Sequence, residues 1–394
     1  MSNDSSLRDL RVLISGAGVA GPALAYWLTR YGATVTVVEA MPALRTSGFA
    51  VDFRGSTHLG VLAKMGVLED LRAVQTHGGA MVCVDIDDKE IFRLPAELFG
   101  GELEVRRRDL SQVLYEHSAE HAEYVFGDII TSLTDTQDGV HVEFARSAAR
   151  TVDLVIGTDG LHSGVRRIAF GPETDYVEHL GYYLAGWDLP NDLGLDTTPR
   201  HYNEPGRLAS VSADLRDPER AGAFVVFASP RLDYDWHDLD QQKKLVADAF
   251  AGMAWHVPHL IEHLRDAPEL YFDSISRVSV PRWSKGRVAL LGDAGHGVTL
   301  GGMGVGTGVV GAYVLAGELA SAAGDHRLAF TAYEQRLRGY ADRWHRHASP
   351  GQFLAPSTAF RLGLRNAMFR RKLVQRLLVG SSKFVATKLE LPDY

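Results

Sequence analysis

The feature that most constrains this 394-residue chain is its first glycine cluster, Gly16-Ala17-Gly18-Val19-Ala20-Gly21, set directly after the apolar run Val12-Leu13-Ile14. A short apolar run ending in glycine reads as a parallel strand buried on both faces. Residues 22–31 carry helical periodicity, Gly32 stops the helix, and residues 34–39 (TVTVVE) read as a second, β-branched strand. Together they make one βαβ unit. In that setting G-x-G-x-x-G is the dinucleotide fingerprint. The first glycine allows a tight turn, the second lets a pyrophosphate approach the backbone, and the third lets helix and strand pack closely. The helix N-terminus favours the negative charge. Glu39, 18 residues after Gly21, supplies a carboxylate able to accept hydrogen bonds from an adenosine ribose.

Further strands are expected at residues 123–126, 140–144 and 153–157. Between 182 and 228 the pattern changes to longer, aromatic-rich strands with turns at Leu189-Pro190-Asn191 and Glu204-Pro205-Gly206, an antiparallel signature. The nucleotide-domain pattern returns at residues 286–293 (GRVALLGD), before a long helix from about 305 to 323. A chain of this length exceeds what one core usually serves. The expected fold class is α/β: a doubly wound domain of residues 1–75, 101–175 and 278–345, interrupted by a β-sheet substrate domain of 76–100 and 176–277. Residues 346–394 should form C-terminal amphipathic helices, with Arg361, Arg365, Arg370, Arg371 and Lys372 in water.

A net charge of −8, from 49 acidic and 41 basic residues, argues against nucleic acid as a partner. Cys83 is the single cysteine, which excludes intrachain disulfides and thiolate metal clusters and suits a reducing cytoplasm. No run of 18 apolar residues suggests a membrane span. His345 and His347, with Arg343 and Arg346 beside them, lack metal-ligand spacing, and no metal is expected.

The fingerprint alone would equally suit an NAD-dependent dehydrogenase. Two later motifs argue otherwise. Residues 153–166 read DLVIGTDGLHSGVR, with Asp159-Gly160 at a strand end and Arg166 beyond. Residues 287–293 read RVALLGD, followed by Ala294-Gly295-His296. An acid at a strand end can bind ribityl hydroxyls, and amides at a helix start can face a flavin's oxygen-rich edge. With all three motifs in this order, residues 10–345 resemble the class A flavoprotein monooxygenases of the para-hydroxybenzoate hydroxylase fold. The nearer likeness is to bacterial antibiotic-tailoring hydroxylases and tetracycline-inactivating enzymes, a subgroup suggested by Val310-Gly311-Ala312-Tyr313-Val314-Leu315-Ala316-Gly317-Glu318-Leu319.

The resemblance implies a Rossmann-like, GR2-type FAD domain and contacts position by position. Gly16, Gly18, Val19, Ala20 and Gly21 would hold the FAD pyrophosphate, with Glu39 and Ala40 at the adenosine ribose and Arg45 approaching the pyrophosphate. Arg107 would contact the cofactor from a helix start, although Asp109 offers a purely structural role there as a helix cap. Asp293 would serve the ribityl chain, and the backbone of Gly304 and Val305 the isoalloxazine. Asp159 is read either as an FAD or NAD(P)H contact or as an organiser of its loop through Arg166. The resemblance further implies reduction by NADPH or NADH, addition of molecular oxygen, and oxygen delivery by a flavin hydroperoxide. No catalytic side chain carries over.

This sequence departs from the family at residues 292–306, which lack the usual proline beside the flavin. Met303 stands where glutamine is common and Gly306 where a small polar residue is common. Substrate candidates come from the inserted sheet: Tyr183, Trp187, His201, Tyr202, Phe224 and Phe227. Strand alternation means that half of such a set faces away. His201 is a candidate base toward a phenol, and His296 lies beside the flavin loop. The expected activity is oxygenation of a small aromatic or polyketide-type metabolite by a cytoplasmic monomer or homodimer. A non-oxidative FAD-binding cyclase and a non-catalytic metabolite-binding flavoprotein are the alternatives. A flavin halogenase is disfavoured, because Gly186-Trp187-Asp188-Leu189-Pro190 does not supply the Trp-x-Trp-x-Ile-Pro stretch.

Overall fold

Strand β1 (Arg11–Ser15) is apolar on both faces because it runs through the middle of a six-stranded sheet. Parallel to it lie β2 (Thr34–Glu39) on one side and β11 (Leu154–Gly157) on the other. Strands β7 (Glu123–Phe126) and β18 (Val288–Leu290) extend the parallel pairing outward, and β17 (Ser284–Lys285) adds an antiparallel edge. The computed structural model describes residues 6–44, 49–76, 79–96, 101–235, 238–300, 304–345, 350–375 and 389–394.

Helices α1 (Ala20–Arg30), α4 (Arg107–Ala119), α9 (Gly304–Ser321) and α10 (His326–His345) share one apolar core with this sheet. α1 starts two residues earlier than its periodicity suggests, because Val19 already has helical backbone angles. α9 is buried from Gly306 to Ala320, and its glycines admit close neighbours. A Cβ at Gly308 would lie 3.4 Å from the Ala20 methyl, and one at Gly317 only 2.2 Å from the Tyr394 ring. Around this core stand α2 (Gly55–Met65), α3 (Leu68–Ala73), α5 (Gly164–Ala169) and α8 (Asp293–His296). The pair β3 (Ala50–Phe53) and β6 (Leu103–Arg106) joins them, with the three-stranded sheet of β8 (Ile130–Thr136), β9 (Gly139–Phe144) and β10 (Arg150–Val152).

The second sheet has seven strands in the order β16 (Tyr271–Val278), β12 (Val177–Pro190), β15 (Arg220–Ala228), β14 (Arg207–Ala213), β13 (Arg200–Glu204), β4 (Met81–Val84) and β5 (Glu90–Leu94). It is antiparallel except where β13 meets β4 in parallel. The architecture is therefore α/β, a doubly wound sheet interrupted by a largely antiparallel one, as the motifs implied.

Alternation gives the second sheet two different faces. Tyr183, Ala185, Trp187, Leu189, Val225 and Phe227 pack against α6 (Leu239–Phe250) and α7 (Val257–Asp266). Tyr182, Leu184, Leu208, Phe224, Val226 and Tyr271 point the other way, toward Phe49, Leu300 and α11 (Pro350–Leu354). The C-terminal α12 (Ala359–Phe369) departs from a simple solvated helix. Arg365 is buried and donates to the carbonyls of Phe353 and Leu354 (both 3.0 Å) and to Asn203 Oδ1 (2.8 Å). No helix among the described residues is long and apolar enough to cross a membrane.

Candidate functional site

The glycine loop is shaped by backbone contacts that leave no room for side chains at two of its three glycines. Gly16 has φ +107°, and a Cβ there would lie 2.8 Å from the Thr158 carbonyl oxygen. A Cβ at Gly21 would lie 1.9 Å from the Gly16 carbonyl oxygen. The Thr158 hydroxyl ties the turn down by donating to the carbonyls of Ser15 (2.8 Å) and Gly16 (2.9 Å). Gly18 is different. Among the described residues, the one heavy atom within 4 Å of its missing Cβ is Nη2 of Arg107, at 4.0 Å. The open space above Gly18 thus faces a guanidinium, and α1 begins beside it without a side-chain cap or an acid in its first turn. Unsatisfied amides and a nearby cation make a cradle for an anion.

Arg107 owes its position to the end of β6, where its own N–H donates to the Phe49 carbonyl (3.1 Å). Asp109 does not cap α4. It pairs with Arg216 at 2.5 Å, and the N-cap Arg106 has no side-chain cap hydrogen bond. Glu39, at the end of β2, accepts from the Ala17 N–H (2.7 Å) and from the Met41 N–H (2.9 Å), so it fastens the glycine loop to the residues after Ala40. Each carboxylate oxygen keeps further acceptor capacity. Arg45 lies outside the described residues.

Asp159 lies half-buried beneath the same loop. It accepts from the Ser163 hydroxyl, from the Val165 N–H (3.1 Å) and from the Ser15 hydroxyl (3.3 Å), and burial pushes its carboxyl above the usual range. It organises its loop through these groups and not by pairing with Arg166. Arg166, fully buried, donates instead to the carbonyls of Leu161 (2.5 Å) and Ala294 (2.9 Å), bracing this loop against the segment after Asp293.

Gly292, with φ +65°, turns the chain from β18 into α8. Asp293 opens that helix, its Oδ1 only 2.3 Å from a Cβ built at Gly297 and 3.3 Å from one at Gly304. Asp293 and the start of α9 are thereby adjacent. Both reach the glycine loop through Ala20, whose methyl lies 3.5 Å from a Cβ at Gly292. Gly304 and Val305 form the first turn of α9. The departure at Gly306 has a local cause: a Cβ there would lie 2.3 Å from the His58 ring. His58, which the sequence did not single out, is buried, with Nε2 2.6 Å from the Tyr340 hydroxyl and Nδ1 accepting from the Arg54 N–H (3.2 Å). Burial lowers its pKa to about 4 and keeps it neutral. His296 ends α8 with its ring buried against Trp283, centroids 4.2 Å apart.

Above these elements the second sheet presents one registered row: Tyr271, Gly186, Phe224, Ser210, His201 and Cys83. Phe49 lies edge-on to Phe224 (4.8 Å) and Tyr271 (5.1 Å), and a Cβ at Gly186 would stand 2.2 Å from its ring. Phe49, Phe224, Tyr271 and Leu300 are all half-buried. Of the substrate candidates, Phe224 and His201 share this face. Trp187, Phe227 and Tyr183 are corrected to the opposite face, where they form core with α6 and α7, and Tyr202 stacks on Trp255. Burial and the neighbouring Arg365 push His201 down to about 3, which makes it an ineffective base near neutral pH. Phe49, Gly186 and Tyr271 were missed, although the period of β12 and β16 holds the signal for the last two.

Where the loop after Asp159 meets the second sheet, His162 lies between Glu173 (3.0 Å) and Asp273 (3.2 Å). Burial alone would lower its pKa, but the two carboxylates outweigh this and raise it to about 10.

Residues 9–181 match the family described as FAD binding domain. The chain is 41% identical over 340 residues to an uncharacterised Mycobacterium tuberculosis protein, covering 84% of this chain and 91% of that one. It is 36% identical over 341 residues to a flavin-dependent monooxygenase of Legionella longbeachae, covering 85% and 87%. The crystal structure of the tetracycline destructase Tet(51) matches with a TM-score of 0.83 at 29% identity, over 98% of this chain and all of that one. The Diels-Alderase PyrE3 shares the fold, with a TM-score of 0.68 at 20% identity over 94% of this chain and 79% of that one.

Proposed function

This chain belongs to the FAD-dependent monooxygenases, and from that membership we propose that it oxygenates a small aromatic or polyketide-type molecule with NADPH or NADH as electron donor. The observation that carries the binding side of this reading is the open face of Gly18 beneath Arg107, beside the uncapped start of α1. FAD, when bound, supplies the redox and oxygen chemistry. Gly16, Gly18, Val19, Ala20 and Gly21 would hold its pyrophosphate, Arg107 would neutralise it, and Glu39 would take the ribose beside Ala40. Asp293 would serve the ribityl side, and the amides of Gly304 and Val305 would stabilise negative charge on the ring's oxygen-rich edge. Asp159 acts as a positioning residue by holding its loop against the end of β1.

The substrate lies against Phe49, Phe224 and Tyr271, whose edge-to-face rings offer both faces and edges to a planar molecule. Gly186 lets Phe49 lie directly on the sheet. These apolar groups exclude water, and His201, its pKa lowered to about 3, is too weak a base to be assigned that role. Similarity to a tetracycline destructase supports a fused-ring polyketide substrate class and a place in antibiotic or secondary metabolism.

The test is aerobic NADPH and NADH oxidation by the purified yellow protein, with a panel of fused-ring phenols and labelled dioxygen. A product carrying one labelled oxygen atom is expected. A flavin that neither nucleotide reduces, with any substrate, would replace this reading with the non-oxidative cyclase that the proline-free segment 292–306 motivates. Protein that binds no flavin would overturn the assignment of the glycine loop.

A further inference from the structure

Asp192 follows β12 in the chain, and α7 carries His259 and His263 one helical turn apart, so both imidazoles lie on one side of the helix. His259 Nε2 is 2.8 Å from Asp192 Oδ1, and His263 Nε2 is 3.3 Å from Asp192 Oδ2. The two rings meet edge-on with centroids 4.6 Å apart. One ligand atom from each residue lies within 4.8 Å of the others, the one such trio of His, Cys, Asp or Glu among the described residues.

The other histidine–carboxylate contacts are built differently. Glu173 beside His162 also faces Arg166 (3.7 Å) and Arg231 (3.5 Å). Asp88 beside His256 also accepts from Trp255 (2.7 Å) and faces Arg200 (4.0 Å). Among the described residues, Asp70 meets one imidazole, that of His117. Asp192 meets two imidazoles, and among the described residues no guanidinium or ammonium is paired with it. Its side chain is 49% exposed, open to an ion from solvent.

We propose that Asp192, His259 and His263 form a binding site for a divalent transition metal ion of the zinc type, with water completing its shell. Two imidazoles and a carboxylate favour zinc, nickel or copper over magnesium and calcium, which prefer all-oxygen shells. Ligands about 2.0–2.2 Å from a tetrahedral zinc stand about 3.3–3.6 Å from one another. The present separations, 2.8 Å to Oδ1 and 3.3 Å to Oδ2, would open by up to about 0.8 Å to admit the ion, a shift within reach of side-chain rotation at this surface. The ion would clip α7, on the outer face of the second sheet, to the end of β12, the strand that carries Gly186. Binding to the folded state alone would raise thermal stability.

The test uses the FAD-loaded full chain, stripped with EDTA and exchanged into chelator-free buffer, titrated calorimetrically with zinc chloride. One ion per chain is expected, with a rise in Tm of about 2 °C or more at saturation. Magnesium chloride should give neither. H259Q/H263Q should keep its flavin spectrum but lose about tenfold or more in zinc affinity, as should D192N. Equal zinc binding by wild type and the double variant would place the ion elsewhere and overturn the site. So would the absence of binding to wild type at about 100 µM zinc.

Discussion

Two alanine substitutions three residues apart, G18A and G21A, should separate cofactor binding from folding. At Gly21 the new methyl would sit 1.9 Å from the Gly16 carbonyl oxygen, about 1.5 Å inside an ordinary contact, and both groups are backbone that cannot rotate away. The cost should reach the upper end of the about 1–3 kcal/mol typical of overpacking, or exceed it. At Gly18 the nearest atom is the Arg107 guanidinium at 4.0 Å, and φ is outside the left-handed region. Alanine there should leave the apoprotein as stable as wild type, or about 0.4–1 kcal/mol more so through the unfolded state. Its methyl would nevertheless push a bound pyrophosphate away from the loop and from Arg107. Losing one charge-assisted hydrogen bond is worth about 1.5–3 kcal/mol, or about 10- to 150-fold in Kd. The assay is a thermal melt of each apoprotein, followed by titration with FAD monitored by flavin fluorescence. G18A that binds FAD as tightly as wild type would refute the placement of the pyrophosphate over Gly18. So would a G18A apoprotein that melts as low as G21A, because the open space would then not be open.

Arg107→Met should weaken FAD binding about tenfold or more and flatten its dependence on salt, while Arg107→Lys should fall between; equilibrium titrations at two ionic strengths check both. His162 has a folded pKa raised to about 10, so its stabilisation is complete below about pH 6.5 and is lost as pH rises through 10. H162Q should therefore melt lower than wild type near pH 6, with the gap closing toward pH 10; parallel curves would argue against the Glu173–His162–Asp273 bridge. Phe227→Ala should cost about 3–5 kcal/mol of stability in the helix-facing core. Phe224→Ala, on the other face, should melt closer to wild type but raise KM for an aromatic substrate, as steady-state kinetics would show.

The nucleotide half of the fold was legible because its signals are local. Val12-Leu13-Ile14 had to be buried on both faces, and β2 begins and ends at the residues its pattern indicates. The glycine loop was legible for the same reason: its reasons lie within Gly16 to Gly21 and at one threonine. The aromatic face was not. A period of two shows that Phe224 and Phe227 oppose each other, but which one meets the other domain depends on the register of β15 with β12 and β14 and on Phe49, 175 residues earlier. His58 and Gly306 explain each other only once α2 and α9 are packed. Asp192 lies 67 residues from His259, so the spacing of the two histidines alone carried half of that signal.

The two-faced second sheet also bears on how such a protein can change. On β15, Ala223, Val225 and Phe227 hold α6 and α7, while Phe224 and Val226 look toward the other domain. On the proposed substrate reading, affinity for a new molecule falls to half-buried Phe224, while its buried neighbours Val225, Val226 and Phe227 bear on resistance to unfolding. A library at the half-buried positions of that proposed face, Phe224 with Phe49 and Tyr271, should retain far more folded members than one built on Val225 and Phe227.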